Sequence, residues 1–371
     1  MRGKGRLAAA VAAVLFLLAP CALAMDASEV VEAQSEALEM DGLQQSADSY
    51  LGGTDIDQGM SLDEGLHAIL DTGSAQIGGV LRKAVRSAVL LIVVVLLCAL
   101  ASGLRGGLGG EGPMDTVTVA GVLAITALAV TDVNALVGLG REALDHMNLF
   151  SQVLLPAVTA AAAAAGSPSG AVARQLATVL FSNVLMSLIS KLLLPLVYAY
   201  VAASAAYAAL GNEGLKRIAG LLRWVVTSAL TALLLVFVGY LTVSGVIAGT
   251  ADAAAVKTAK LTISGMVPVV GGILSDAAET VLAGAGILRN TVGVFGMLVI
   301  LAVCVAPFLQ LGVHYLAYKM AAALTATVAD GRMAGLIDSI GGAFGLVLGM
   351  TGAGALLLLV SLVAAITAVT P

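Results

Sequence analysis

Lys257, Lys260, Asp276 and Glu279 are the side chains whose types and spacing come nearest to chemistry in this chain of 371 residues. They share one stretch, Lys257 to Asn290, KTAKLTISGMVPVVGGILSDAAETVLAGAGILRN, set between two long apolar runs. Pro268, Gly271 and Gly272 break its middle, and Arg289 and Asn290 close it. Asp276 and Glu279 stand three apart, which puts both carboxylates on one face of a short helix. Such a set can compensate charge and offer hydrogen bonds inside a membrane. Irregular backbone at membrane depth is tolerated only where protein or a water-filled cavity shields it. The stretch therefore reads as a buried or re-entrant element around which other helices pack.

Bond-making chemistry has no comparable signal. Lys257-Thr258 follows Ala254-Ala255-Val256, without the glycines whose amides would cradle phosphate, and no HExxH is present. Besides a solvated His67 there are two histidines, His146 and His314, so a metal site would have to gather scattered carboxylates. Cys21 lies in the leader, and Cys98 and Cys304 in apolar runs where cysteine acts as a small hydrophobe. No disulfide framework, no cofactor and no enzymatic activity are expected.

Ionisable groups within apolar runs are more informative, because each costs about 2.5–3.5 kcal/mol or more at the bilayer centre. Lys191, His314 and Lys319, with Asp276 and Glu279, are candidates for an interior polar path. The plainer alternative lets the lysines snorkel to an interface and leaves the two acids on an exposed turn. Gly341, Gly345 and Gly349 recur every four residues with Ala353 in line. That face admits close helix packing, within the chain or between copies.

The elements that must position these residues are membrane helices. With 60% hydrophobic and 11% charged residues and a mean hydropathy of +1.03, the chain cannot cover a water-facing surface of ordinary size. Several runs reach the roughly 20 apolar residues that span a bilayer. The fold class expected is an all-α polytopic transmembrane helical bundle. Residues 1–24 read as a cleaved signal peptide: Arg2, Lys4 and Arg6, an apolar core Leu7–Ala19, then Ala22-Leu23-Ala24. A lipoprotein signal ending at Cys21 is opposed by Pro20, and an uncleaved anchor by the short core.

Residues 25–81 hold twelve acids and no Lys or Arg, an acidic extracytoplasmic segment without the basic patch that nucleic acid requires. Residues 82–147 carry two spans, about Ala84–Leu104 and Thr116–Leu139. Asp132 and Asn134 lie near the end of the second, to cap it or face a bundle interior. Arg82, Lys83 and Arg86 precede the first span, on the outside if the leader is cleaved, which opposes the positive-inside tendency.

Two tandem repeats are expected over 148–250 and 251–371. Pro156 and Pro195 are 39 residues apart, as are Pro268 and Pro307, and Arg217-Ile218-Ala219-Gly220-Leu221 answers Arg332-Met333-Ala334-Gly335-Leu336. Each unit contains a long Pro-broken segment, about Ala171–Leu210 and Thr291–Ala329, measuring about 60 Å as one helix. It is either a hairpin of two spans, slightly favoured by the placement of basic residues, or one kinked helix. The alternatives allow about seven to ten crossings. Paired Pro-interrupted segments in two halves also fit a stand-alone secondary transporter of a small solute.

On KTAK (Lys257 to Lys260), VPVVGGILSDAAETV (Val267 to Val281) and LRN (Leu288 to Asn290), and on the order of leader, acidic segment, membrane body and apolar tail, the chain resembles the stage III sporulation protein AE family of endospore formers. The likeness is sharp from about 250 to 340; residues 25–80 match in character only. It implies a non-enzymatic membrane subunit of the apparatus linking mother cell and forespore, a channel, feeding tube or export-gate-like component. The family sits in the outer forespore membrane. Its implied partners are other stage III proteins of the same operon, an ATPase and ring-forming components, together with a forespore membrane partner. No catalytic residues come with the family.

Overall fold

A backbone in hydrocarbon has no water to bond, so its amides must be satisfied within the segment, and the helix is the single-segment solution. The computed structural model describes residues 48, 56, 60–106, 116–164, 180–181, 183–243, 291–328 and 331–367. The chain divides into two units, Met1–Ser46 and Ala47–Pro371. The first lies outside the described residues, and so does the whole stretch Lys257–Asn290 with its Pro268, Gly271, Gly272, Asp276 and Glu279. The second is all-α: among the described residues six helices are long and apolar enough to cross a membrane. They are α1 (Leu62–Gly106), α2 (Thr116–Ala164), α3 (Asn183–Leu210), α4 (Glu213–Val243), α5 (Thr291–Thr325) and α6 (Gly331–Thr367).

α1 starts well before the expected span at Ala84. Ser61 and Glu64 form a capping box that fixes the start: the Ser61 hydroxyl and amide donate to Glu64 Oε2 at 2.7 and 3.0 Å, and the Glu64 amide donates back to Ser61 Oγ at 3.3 Å. The end of the acidic segment is thus helix, continuous across 81/82 with the span. At 45 residues, or about 68 Å, α1 is longer than a hydrocarbon core needs. α2 likewise runs on past Leu139 and through 147/148, with Pro156 inside it. Asp132 and Asn134 are therefore interior to α2 rather than near its end.

Pro195 and Pro307, the prolines of the two long segments, are met differently. Pro307 lies inside the continuous α5, which corrects the hairpin expectation for that segment: it is one helix. A proline removes one intrahelical bond, whereas a loop at that depth would expose both helix ends to hydrocarbon. In α3 a π-helical stretch, Ile189–Leu193, precedes Pro195, and the Leu194 amide donates to the Ile189 carbonyl. Lengthening the ring by one residue lets the register pass the missing donor.

Tight turns join α3 to α4 and α5 to α6. Gly211 closes α3 with φ 66°, its amide donating to the Tyr207 carbonyl at 2.8 Å, a conformation that excludes side chains at little cost only for glycine. Asn212 then caps α4, its Oδ1 accepting from the Gly214 amide at 2.8 Å. α5 ends in a turn at Ala326–Val328.

α6 is the axis of the packing. It touches α2, α3, α4 and α5, while α1 lies along α5 and α2. α1 and α5 run in the same direction, since Gly65 meets Leu298 and Gly73 meets Val305 and Leu309. α2 runs with α6: Gly121 abuts Met333, Gly140 abuts Val347, and Leu144 reaches Gly354. α3 runs against α6, with Tyr200 at Gly342 and Met186 at Gly354.

Candidate functional site

Formal charge stops at one level on three helices. Arg223 on α4 is followed by no charged residue until Asp252; Lys319 on α5 is preceded by none back to Thr291; Asp338 on α6 is followed by none to Pro371. The α5–α6 hairpin explains the register. Residues equidistant from the facing ends of two antiparallel helices meet, and Lys319 stands six residues before the end of α5 while Asp338 stands seven after the start of α6. Their side chains meet, Lys319 Nζ to Asp338 Oδ1, at 2.6 Å, with 28% and 47% of their surface exposed. Lys319 also lies 6.0 Å above the Tyr315 ring.

Close approach of the two helices depends on glycine. A Cβ on Gly341 would stand 3.0 Å from Tyr318 Cβ and 3.5 Å from the Lys319 amide nitrogen, and one on Gly345 would stand 3.0 Å from the Tyr315 ring. Gly349 is buried on the same helix. From α3, the Tyr200 hydroxyl reaches this level beside Gly342 and Ser339, within electrostatic reach of Arg223 and Asp338.

One turn deeper, the Tyr318 hydroxyl donates to Asp132 Oδ2 on α2 at 2.7 Å. The Tyr318 ring stands edge-on to Phe344 at 5.0 Å, and His314 stands edge-on to the same ring at 6.3 Å. His314 is buried, with Nδ1 2.7 Å from the Gln310 carbonyl oxygen. This polar layer joins α2, α5 and α6 through an ion pair and a hydrogen bond between side chains, with Tyr200 of α3 alongside. It can hold helices in register and compensate charge at a membrane boundary. Among the described residues no three His, Cys, Asp or Glu side chains gather to hold a metal.

The candidates picked from sequence separate into three groups. Lys319 and His314 belong to this layer. Lys191 is exposed in the π stretch of α3, as a snorkelling lysine would be. Lys257, Lys260, Pro268, Gly271, Gly272, Asp276, Glu279, Arg289 and Asn290 lie outside the described residues. Asp338, Tyr318 and Tyr200 are the residues that sequence reasoning passes over. The signal that could find Asp338 is its mirror position to Lys319 about a turn rich in Ala, Thr and Gly. Cys304 is buried with Sγ 3.4 Å from Met147 Sδ, and Cys98 lies against Gly121.

Stacked apolar helices, six of them long enough to span a bilayer among the described residues, define a multi-pass α-helical membrane protein. The model of the family described as Stage III sporulation protein AE matches residues 59–369, and the chain belongs to that family. Stage III sporulation protein AE of Bacillus subtilis (strain 168) is 28% identical over 220 residues, 59% of this chain and 55% of that protein. The chain thus spans about half the length of the curated relative it matches. No solved structure matches.

Proposed function

We propose that the chain is a non-enzymatic integral membrane subunit of a sporulation complex linking mother cell and forespore, a channel, feeding-tube or export-gate-like component needed late in forespore development. The observation that carries this is family membership over 59–369, which takes in every membrane helix described above. Partners would be the ATPase and ring-forming proteins of the same operon and a forespore membrane protein, and the setting the mother-cell-derived outer forespore membrane. Removing the gene should leave vegetative growth intact and stop spore development after engulfment. An ordinary spore yield would refute the reading.

The packing also supports an orientation. Leu104 at the end of α1 and Val328 in the α5–α6 turn line one hollow, and Gly211 in the α3–α4 turn abuts Arg332. Both turns therefore sit at the end of the bundle where α1 stops. With residues 25–81 extracytoplasmic, that end is cytoplasmic, and it carries Lys216, Arg217, Arg223 and Arg332, as the positive-inside tendency asks. Arg82, Lys83 and Arg86 fall at the outer boundary of α1. A side-reporting tag at Asn212 should be read in the cytoplasm; an external signal would reverse the assignment.

The tandem-repeat reading of 148–250 and 251–371 is supported by Pro195 and Pro307 each lying in a helix followed by a tight turn and a long second helix. Replacing Asp276 and Glu279 by Ala should impair sporulation while the protein stays in the membrane; unchanged spore yield would remove them from the site. The π stretch beside Pro195 favours the runner-up, a stand-alone secondary transporter, because interrupted helices bind solutes in such folds. Solute uptake by liposomes holding this chain alone would support it over the complex.

A further inference from the structure

α4 presents three faces. Ala219, Val226, Leu230 and Phe237 are buried against the bundle, and Ile218, Leu221, Trp224, Leu235, Val236 and Val238 are exposed large apolar side chains. Between them runs a polar stripe: Lys216, Gly220, Arg223, Thr227 and Thr231, spaced four, three, four and four residues apart and so stacked along one side of the helix. The two threonines donate to backbone one turn back, Thr227 to the Arg223 carbonyl at 2.6 Å and Thr231 to the Thr227 carbonyl at 2.8 Å, which leaves their oxygens able to accept. A Cβ on Gly220 would meet nothing within 4 Å, so the stripe is open there.

The charges on this stripe are unequally satisfied. Lys216 has Glu213 at 3.4 Å and the Tyr207 ring at 5.5 Å. Asp338, the acid nearest in level, is taken by Lys319. Arg223 has no carboxylate partner among the described residues. It stands where the uncharged run of α4 begins, beside Trp224, whose side is exposed as interfacial tryptophans are. The anion present at that depth in any bilayer is lipid phosphate, and a guanidinium binds phosphate through two parallel N–H donors. A second copy of the chain fits poorly, because a two-fold contact along this stripe would set Arg223 against itself.

We propose that the Lys216–Gly220–Arg223–Thr227 stripe of α4 binds an anionic phospholipid, with Arg223 holding the phosphate, Gly220 making room for the headgroup, and the exposed Trp224, Leu235 and Val238 lying against the acyl chains. The inference rests on the chain's place in the membrane and not on its role in a complex. The test uses the purified full-length chain in bilayers of phosphatidylcholine with and without phosphatidylglycerol, and measures phosphatidylglycerol retained after extraction by native mass spectrometry.

Arg223→Gln should weaken retention about fivefold, the worth of one basic residue at an anionic surface. Arg217→Gln removes the same charge about 120° around the helix from Arg223 and should cost clearly less. Equal losses would mean diffuse attraction and overturn the site. Loss of wild-type retention on adding inorganic phosphate would overturn a lipid site in favour of a free-anion site. If Arg223→Gln does not fold, Arg223→Lys, which keeps charge without the paired donors, should still retain less phosphatidylglycerol than wild type; retention equal to wild type would refute the phosphate contact. Altered association with another membrane protein, with lipid retention unchanged, would assign the stripe to a protein partner and refute the proposal.

Discussion

α1 and α6 are both strongly apolar, yet the apolar window of α1 is 17% buried in the protein and that of α6 is 89% buried. Hydropathy does not separate them; side-chain size does. Between Ala84 and Leu104 the only glycine of α1 is Gly103, and the run is built of Leu, Val and Ile. Between Ser339 and Gly354, α6 places glycine at 341, 342, 345, 349, 352 and 354. Large aliphatic groups suit a face turned to lipid, where any apolar shape serves. Small residues suit a helix enclosed by four others, because helices in a membrane attract one another chiefly through close van der Waals contact. A glycine-rich apolar segment is in this protein the mark of the interior.

The strongest way to break that contrast is to fill the α2–α6 contact. A Cβ on Gly140 would collide with Val347 Cγ1, and Val347 is fully buried and has no room to swing away. Gly140→Leu should cost about 3 kcal/mol or more as overpacking, read as a lowered Tm and aggregation in mild detergent. Removing bulk from the same interior comes next. Leu357→Ala, at 1% exposure, should cost about 2–3 kcal/mol through the cavity it leaves. A Tm unchanged in either variant would mean that α6 is not the packing axis.

The polar layer is worth less. Lys319→Met leaves Asp338 alone but half exposed, so solvent screening limits the loss to about 1 kcal/mol. Adding Asp338→Leu should recover most of it, and a double-mutant cycle in thermal unfolding reads the coupling directly. Additive effects of the two changes would show that the pair contributes geometry without energy. Tyr318→Phe removes the hydrogen bond to Asp132 and should cost about 0.6 kcal/mol, the usual worth of such bonds between membrane helices.

These sites also show how far the sequence can be read. Lys319 was visible as a charge among apolar residues, and the glycine face from Gly341 as a packing signal, because both depend on spacing along one helix. Asp338, Tyr318 and Tyr200 depend on which helix lies opposite, and periodicity carries no such information. The helix ends escape the apolar pattern for a related reason. A bilayer's length of apolar residues marks a span, whereas α1 and α2 continue as helix beyond the hydrocarbon, α1 begun by its Ser61–Glu64 cap and α2 running on through Pro156. Of the two forms open to the segment around Pro307, the placement of basic residues slightly favours a hairpin, yet the structure has the single helix. Buried among other helices, α5 loses one bond and gains nothing by opening.

The mildest substitution sharpens the contrast most. Leu97 on α1 is 61% exposed and faces away from the bundle. In a water-soluble protein Leu→Ala at a well-packed site costs roughly 2–5 kcal/mol, part of it transfer from water and part the cavity. For Leu97 neither part applies: the side chain is surrounded by lipid before and after folding within the membrane, and lipid fills the space that alanine vacates. Leu97→Ala should therefore shift Tm by about as little as a neutral surface change, within ±0.5 kcal/mol, against the loss at Leu357. A loss at Leu97 equal to that at Leu357 would mean that α1 is covered by protein in the working assembly. Measuring both variants in isolated protein and again in the native membrane distinguishes a lipid-facing helix from one reserved for a partner.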